Sequence, residues 1–386
     1  MLENDSKNDK SKRICFIALG AYPLLSKTYS ENVTGPNIHQ FLLAKELMKH
    51  DFKITFITYK DKDRPVIETI DGIEIIKISD KKCCFNILNI IIKIYHIYNA
   101  MFKANAQIYF HAGGVAGPIS IFCRSIGKQS IYSIASDALV NRRIVTRKIR
   151  EFNQSKFGLE YLGNWLEIKL ANAIIIQSEY QKKMLMKNYG KNGTLIKMPF
   201  PITKERMPEK TNPPIILWVG SMAEVKQPEL FLKLAESVPE AGFQMIGGSG
   251  NLDFYEGIRD SAEKISNLEF FGVVPFNEID RYFRRASILV NTSMFEGFPN
   301  AFIQAWMNYV PVVSLNADPD ELICNNKLGF HSKTFDQMVN DLRIVLNNEE
   351  KREELGRNAR EYVEREHNIT LLINKYIEIF GINFIQ

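Results

Sequence analysis

Short apolar runs rich in isoleucine recur along the chain and alternate with longer segments of helical period. RICFIALGAY (13–22) reads as a buried strand entering a glycine turn, and residues 36–50 follow as an amphipathic helix. Further strands are expected at 53–60, 72–79, 107–114, 130–137 and 172–178, with helices at 83–102, 118–127 and about 142–171. The rhythm restarts at PPIILWVGS (213–221). It continues as helix 228–238, strand 242–248, helix 253–265, strand 268–272, helix 278–286, strand 288–293, helix 301–309 and strand 310–315. The end of the chain, 349–380, reads as helical, with a break near His367–Thr370. Strands alternating with helices imply βαβ units and parallel sheets. The expected fold class is α/β: two Rossmann-like domains facing across a cleft.

Residues 198–214 hold five prolines and no apolar period, so they read as a linker. The expected organisation is a disordered tail over 1–12 and a first Rossmann-like domain over 13–197. The linker 198–214 leads to a second domain over 215–366. A terminal helix, 367–386, is expected to pack back on the first domain. Ligands of such folds sit at the carboxyl ends of the strands, so candidate chemistry is sought in the loops that follow strands.

Composition narrows the class. The 386 residues are 45% hydrophobic and 24% charged, too apolar for a disordered chain and too mixed for a collagen or a coiled coil. Cys15, Cys83, Cys84, Cys123 and Cys324 are scattered and form no CxxC pair or Cys/His cluster, which argues against a zinc site or a disulfide framework and fits a reducing compartment. The polar opening gives the expectation of a disordered tail rather than a signal peptide. The apolar run 83–102 is interrupted by Lys93, His96 and three asparagines, and reads as a core or half-buried helix rather than a membrane span. Charge is uneven. Residues 1–200 carry 30 Lys and Arg against 17 Asp and Glu, whereas 201–386 carry 19 against 27. The basic half suits an anionic partner such as a membrane surface or a phosphate-bearing acceptor. No motif supports nucleic-acid binding.

The most informative segment is Phe295-Glu296-Gly297-Phe298-Pro299-Asn300, between a strand and a helix. Glycine and proline make a tight turn, and the unpaired amides that open the next helix favour an anion, typically a phosphate. Glu296 at that rim suits a sugar whose hydroxyls need an acceptor. A plain helix cap with a solvated Glu fits the same residues. Asp318-Pro319-Asp320 imitates a metal-binding Asp-x-Asp, but the central proline suits a turn better.

The segment resembles the donor-site signature of retaining glycosyltransferases of family 4, which have the GT-B fold: Glu, seven residues, Glu, with Gly-Phe-Gly or Gly-Phe-Pro after the first Glu. WVGSMAEVKQPELFLKLA, MIGGSGN and LEFFGVVPFNEIDRYFRRASILVNTS resemble the rest of that donor half, and HAGGVAGPISIFCR and TGPNIHQFLLAKEL its acceptor half more loosely. The resemblance implies that Lys226 neutralises the donor diphosphate and that Glu296 contacts the donor sugar. It places Gly297, Phe298, Pro299 and Asn300 in the loop whose backbone faces sugar and phosphate. Gly272, Val273 and Val274 fall beside the nucleotide base, and Gly35 and Pro36 approach the diphosphate from the first domain. Three positions depart from the pattern. Ser221 replaces an Arg on the diphosphate, Gln304 replaces the second Glu that binds ribose, and Ser136 replaces a His before Asp137. His111 and Asp137, both at strand ends, are expected to face the cleft and meet acceptor or sugar.

The implied activity is metal-independent, retaining transfer of a sugar from a nucleoside-diphosphate sugar to a hydroxyl of a glycan or lipid-linked acceptor, in cell-surface polysaccharide synthesis. No cofactor is expected. The expected location is cytoplasmic, peripheral at the inner face of the membrane. A non-catalytic nucleotide-sugar-binding protein and a sugar-nucleotide epimerase remain open alternatives.

Overall fold

The computed structural model describes residues 12–28, 33–60, 66–79, 86–113, 119–141, 157–203 and 205–381. Expectations for the tail 1–11, the start of the helix at 83–102, the stretch 142–156 and residues 382–386 lie outside them.

The first half builds one sheet from β1 (Arg13–Ile17), β2 (Lys53–Tyr59), β3 (Ile67–Ile70), β4 (Ile73–Ile78), β5 (Ile108–Ala112), β6 (Gln129–Ser133), β7 (Ala173–Ile176) and β8 (Thr194–Leu195). Its order is β3-β4-β2-β1-β5-β6-β7-β8. All neighbours are parallel except β3 and β4, which form a hairpin turned at Asp71 and Gly72, both with positive φ. The second half builds β9 (Ile215–Val219), β10 (Gly242–Ile246), β11 (Leu268–Gly272), β12 (Ile288–Asn291), β13 (Val312–Ser314) and β14 (Gly329–His331). These are ordered β11-β10-β9-β12-β13-β14, all parallel. Both sheets reverse direction of growth beside their first strand, between β1 and β5 and between β9 and β12. Such switch points open a crevice at the strand ends.

The strands are nearly continuous apolar runs because helices cover both faces. Ile14, Phe16, Ile54, Phe56, Ile75, Ile108 and Phe110 form one core of the first sheet, and Phe16 stacks on Phe56 with ring centroids 5.2 Å apart. In the second half, Ile216, Trp218, Phe231, Phe243, Met245 and Val290 fill one side of the sheet. Leu217, Leu289, Phe302 and Trp306 fill the other.

Several elements were not expected from the pattern. These are the helix Tyr22–Ser26, strands β3, β8 and β14, and the helices Glu179–Tyr189, Leu322–Asn325 and Phe335–Asn347. No helix among the described residues is long and apolar enough to cross a membrane. The helix Asn86–Ala104 buries Ile97, Ala100, Met101 and Ala104 instead.

The chain crosses between the halves twice, side by side. The Phe200 amide donates to the His367 carbonyl at 2.8 Å, and the Ile369 amide returns a bond to the Phe200 carbonyl at 2.9 Å. The buried His367 ring bonds the Met198 carbonyl through Nδ1 at 2.8 Å. The last helix, Ile369–Gly381, then lies on the first half's core, where Leu372, Ile373, Tyr376, Ile379 and Phe380 are buried. Tyr376 Oη bonds His39 Nε2 at 2.9 Å, and burial lowers the His39 pKa to about 4. Tyr376→Phe removes the partner of a fully buried imidazole and should cost about 1–3 kcal/mol. Urea denaturation monitored by circular dichroism checks this; an unchanged midpoint would mean that the ring alone holds the helix down.

Candidate functional site

The turn after β9 and the loop after β12 meet at the carboxyl edge of the second sheet. Lys226 ends a single 3₁₀ turn, Glu224–Lys226, and Gln227 leaves it with φ of 48° before the helix Pro228–Ser237 begins. The backbone of this turn is tied to the neighbouring loop. Thr292 Oγ1 donates to the Lys226 carbonyl at 2.7 Å and accepts from Trp218 Nε1 at 3.0 Å, and the Met294 amide donates to the Val225 carbonyl at 2.9 Å. Lys226 is thereby held facing Glu296, with Nζ 2.5 Å from Oε1. Ser293 Oγ donates to the same oxygen at 2.7 Å. The pair is mostly buried, at 23% and 12% side-chain exposure, so its charges are only partly screened by water.

The rest of the signature loop reaches the first half. A Cβ on Gly297 would stand 2.9 Å from the Ala135 carbonyl oxygen and from Ser136 Cα, so only glycine lets the two backbones approach this closely. Phe298 turns inward against His367 and Trp306, with centroids 4.8 and 6.2 Å away. Its ring anchors the loop, and only its backbone is left for a ligand. Pro299 caps the helix Asn300–Met307, and Asn300 Nδ2 donates to the Gly35 carbonyl at 3.3 Å. Gly35 and Pro36 themselves open the helix Gly35–Met48. Two helix N-termini, one from each half, thus meet at one place.

Gly272 ends β11 with φ of 64°, and a Cβ there would lie 2.7 Å from Tyr255 Oη. Val273 and Val274 follow it, half-buried. Ser221 is exposed just past β9, and Gln304 is half-buried on the helix Asn300–Met307. A cavity of about 280 Å³ flanks these loops, lined by Gln227, Met294, Phe295, Asn316 and Lys333 among others.

His111 is a correction. It was expected to face the cleft, but it has no exposed surface: it stacks on Tyr132 and bonds Glu167 at 3.0 Å. Glu167 also accepts from the Ser120 amide and hydroxyl, forming a buried polar knot inside the first half. The cause is the register of β5, which is buried at every residue, so its last side chains enter the interior rather than the crevice.

Asp137 is placed between the halves. Ser136 caps its short turn, and Gln181 Nε2 donates to Asp137 Oδ1 at 3.0 Å. Burial pushes its pKa up to about 7, and the nearby Asp320 and Glu296 carboxylates push the same way, against the Gln181 hydrogen bond.

Sequence reasoning missed two constellations here. The carboxylates of Asp318-Pro319-Asp320 part company. Asp320 accepts from the amides of Glu179 and Tyr180 at 2.8 and 3.0 Å, capping a helix of the other half. Asp318 turns toward Cys324 and His331, and the three offer ligand atoms within 4.8 Å of one another. Among the described residues this is the cluster suited to a metal ion; it could not be read from spacing, because the three positions meet only through a turn and a strand pairing.

Comparison with known proteins bears on this geometry. Residues 200–362 match the family model of glycosyl transferases group 1. Those residues form a group 1 glycosyltransferase domain. The chain is 24% identical over 163 residues to a glycosyltransferase 1 domain-containing protein of Xenopus tropicalis, covering 41% of this chain and 47% of that one. It spans about half the length of the curated relatives it matches. Its fold is similar to sucrose-phosphate synthase from Thermosynechococcus elongatus, with a TM-score of 0.77 at 15% identity over 96% of this chain and 98% of that one. It is also similar to Anabaena HepE solved with UDP-glucose, with a TM-score of 0.69 at 11% identity over 96% and 99%. The two facing sheets are the GT-B fold of glycosyltransferases.

The fold prefers Asp137 protonated. A carboxyl pKa raised in the folded state stabilises fully below the ordinary carboxylate range, and that contribution is lost as pH rises from about 4 through about 7. Asp137→Asn should therefore match the wild type near pH 4 and exceed it above pH 7, by at most about 4 kcal/mol. Paired urea titrations at the two pH values check it; a variant less stable than wild type at pH 8 would contradict the buried charge.

Proposed function

We propose that the protein is a metal-independent, retaining glycosyltransferase that moves a sugar from a nucleoside diphosphate to a hydroxyl of a glycan or lipid-linked acceptor. The observation that carries this reading is the Lys226–Glu296 pair, set where the two halves meet at Gly35 and Asn300. In the proposed complex the diphosphate takes Lys226 and the free amides at the start of the helix Asn300–Met307, while Glu296 turns to the sugar hydroxyls. Gln304 takes ribose hydroxyls through its amide, and the turn Gly272-Val273-Val274 lies beside the base. A neighbour solved with UDP-glucose supports a nucleotide-sugar donor.

The proposed reaction proceeds on one face of the sugar. The bond from the anomeric carbon to the leaving phosphate oxygen breaks, the acceptor oxygen bonds to the same face, and the acceptor proton passes to the departing diphosphate. Lys226 stabilises the charge that grows on that leaving group. Such a contact is worth about 2.7–4 kcal/mol in the transition state. Lys226→Ala should therefore lower turnover by about a hundredfold or more while the fold survives. Gln304→Ala should weaken donor binding by about 1–3 kcal/mol, because it leaves ribose hydroxyls unpaired. Donor-dependent release of free nucleoside diphosphate, with calorimetric titration of the donor, reads both. Near-normal turnover in Lys226→Ala would end the phosphate role, and a donor bound without any transfer would favour the non-catalytic reading.

We further propose cytoplasmic work at an anionic membrane face in cell-surface polysaccharide synthesis. A structurally similar chain, WaaG, is a glycosyltransferase involved in lipopolysaccharide biosynthesis. The helix Asn86–Ala104 supports the membrane contact: Ile91, Tyr95 and Phe102 are 56%, 64% and 71% exposed along one side, and Lys103 is exposed beside them. Exposed apolar groups flanked by cations suit an interfacial surface. The chain should sediment with anionic vesicles, less so in high salt, and poorly with neutral ones. Equal binding to both vesicle types would discard this location.

A further inference from the structure

The turn that parts Asp318 from Asp320 builds a second chemical centre. We propose that Asp318, Cys324 and His331 bind one zinc-class divalent cation, separate from the sugar-transfer chemistry. The geometry arises from the sheet edge. β13 and β14 run parallel with Ser314 opposite His331, so His331 stands alongside the exit of β13. Four residues past β13, Asp318 opens the return turn, in which Asp320 and Glu321 take positive φ, and the helix Leu322–Asn325 brings Cys324 back over it. His331 Nδ1 lies 3.8 Å from Asp318 Oδ2, and the carboxylate, thiol and imidazole atoms all lie within 4.8 Å of one another.

Tetrahedral zinc holds sulfur at about 2.3 Å and nitrogen or oxygen at about 2.0–2.2 Å, which sets its ligands roughly 3.3–3.7 Å apart. The observed spacing reaches that with side-chain shifts of about 1 Å or less. The ligand set also selects the metal. One thiolate, one imidazole and one carboxylate match a borderline-soft cation, whereas magnesium and calcium demand oxygen throughout. Asp318 is already oriented, because its Oδ1 accepts from the Ile323 amide at 2.8 Å and its Oδ2 is the oxygen turned to His331. The Cys324 side faces solvent, which leaves an entry path and a fourth position for water. Binding is a ligand exchange. The thiol loses its proton to solvent, a metal–sulfur bond forms, and hydration waters leave the cation.

Cobalt(II) serves as the probe, because tetrahedral thiolate coordination gives visible d–d bands and a near-ultraviolet sulfur-to-metal band. Titration of the full-length protein, under reducing conditions, should reach one cobalt per chain, and added zinc should displace it. Cys324→Ser, at an exposed position that the fold tolerates, should abolish the sulfur band. His331→Ala should weaken binding by about tenfold or more. A double variant, Cys83→Ser with Cys84→Ser, should titrate like the wild type. No sulfur band in the wild type, or a band that survives Cys324→Ser and vanishes in the double variant, overturns the proposal. None of these readouts depends on sugar transfer, so the proposed activity and this site fail separately.

Discussion

The two chain crossings set the geometry on which everything else rests. Residues 198–200 run beside 367–369, and three hydrogen bonds hold them together. Two strands of linker can bend together but cannot swivel independently, which limits how the sheets can move against each other. The His367 ring lies at the centre of this junction, with burial lowering its pKa to about 3. It also touches Phe298, so the hinge and the signature loop share one packed cluster. The crossings are thus in direct contact with the loop that carries Glu296.

The opposed sheet edges divide the labour. The second half supplies a held cation, Lys226, and a carboxylate, Glu296, that neutralises it. Pairing of this kind avoids a lone buried charge. The first half contributes mostly backbone at the point of contact: Gly35, Ala135 and Ser136. Close backbone approach requires glycine at 297.

Much of this architecture was legible in the chain, and the failures have physical causes. Isoleucine-rich runs such as ITFIT and AIII announce strands covered on both faces, and they folded as such. Glu179–Tyr189 escaped notice because it buries only Gln181, Leu185 and Tyr189, too few to mark an apolar stripe. β3 and β14 are edge strands of four and three residues, too short for period to register. The Lys226–Glu296 meeting could be read only through resemblance, since seventy positions separate the two residues. His111 misled because a strand end says nothing about which side of the sheet its side chain enters; its partner Glu167 lies 56 residues away.

Asp320 gives the cleft a consequence for the helix it caps. The first turn of a helix has amides that need acceptors, and here the acceptor belongs to the other half of the molecule. Separating the halves leaves the Glu179 and Tyr180 amides to water, while Ser178 Oγ keeps its bond from the Gln181 amide; closing them restores the Asp320 contact. The start of the helix Glu179–Tyr189 is thus a built-in timer of cleft opening. Deuterium uptake at the Glu179 and Tyr180 amides would count the moments when the two sheets stand apart, without any label attached to the protein.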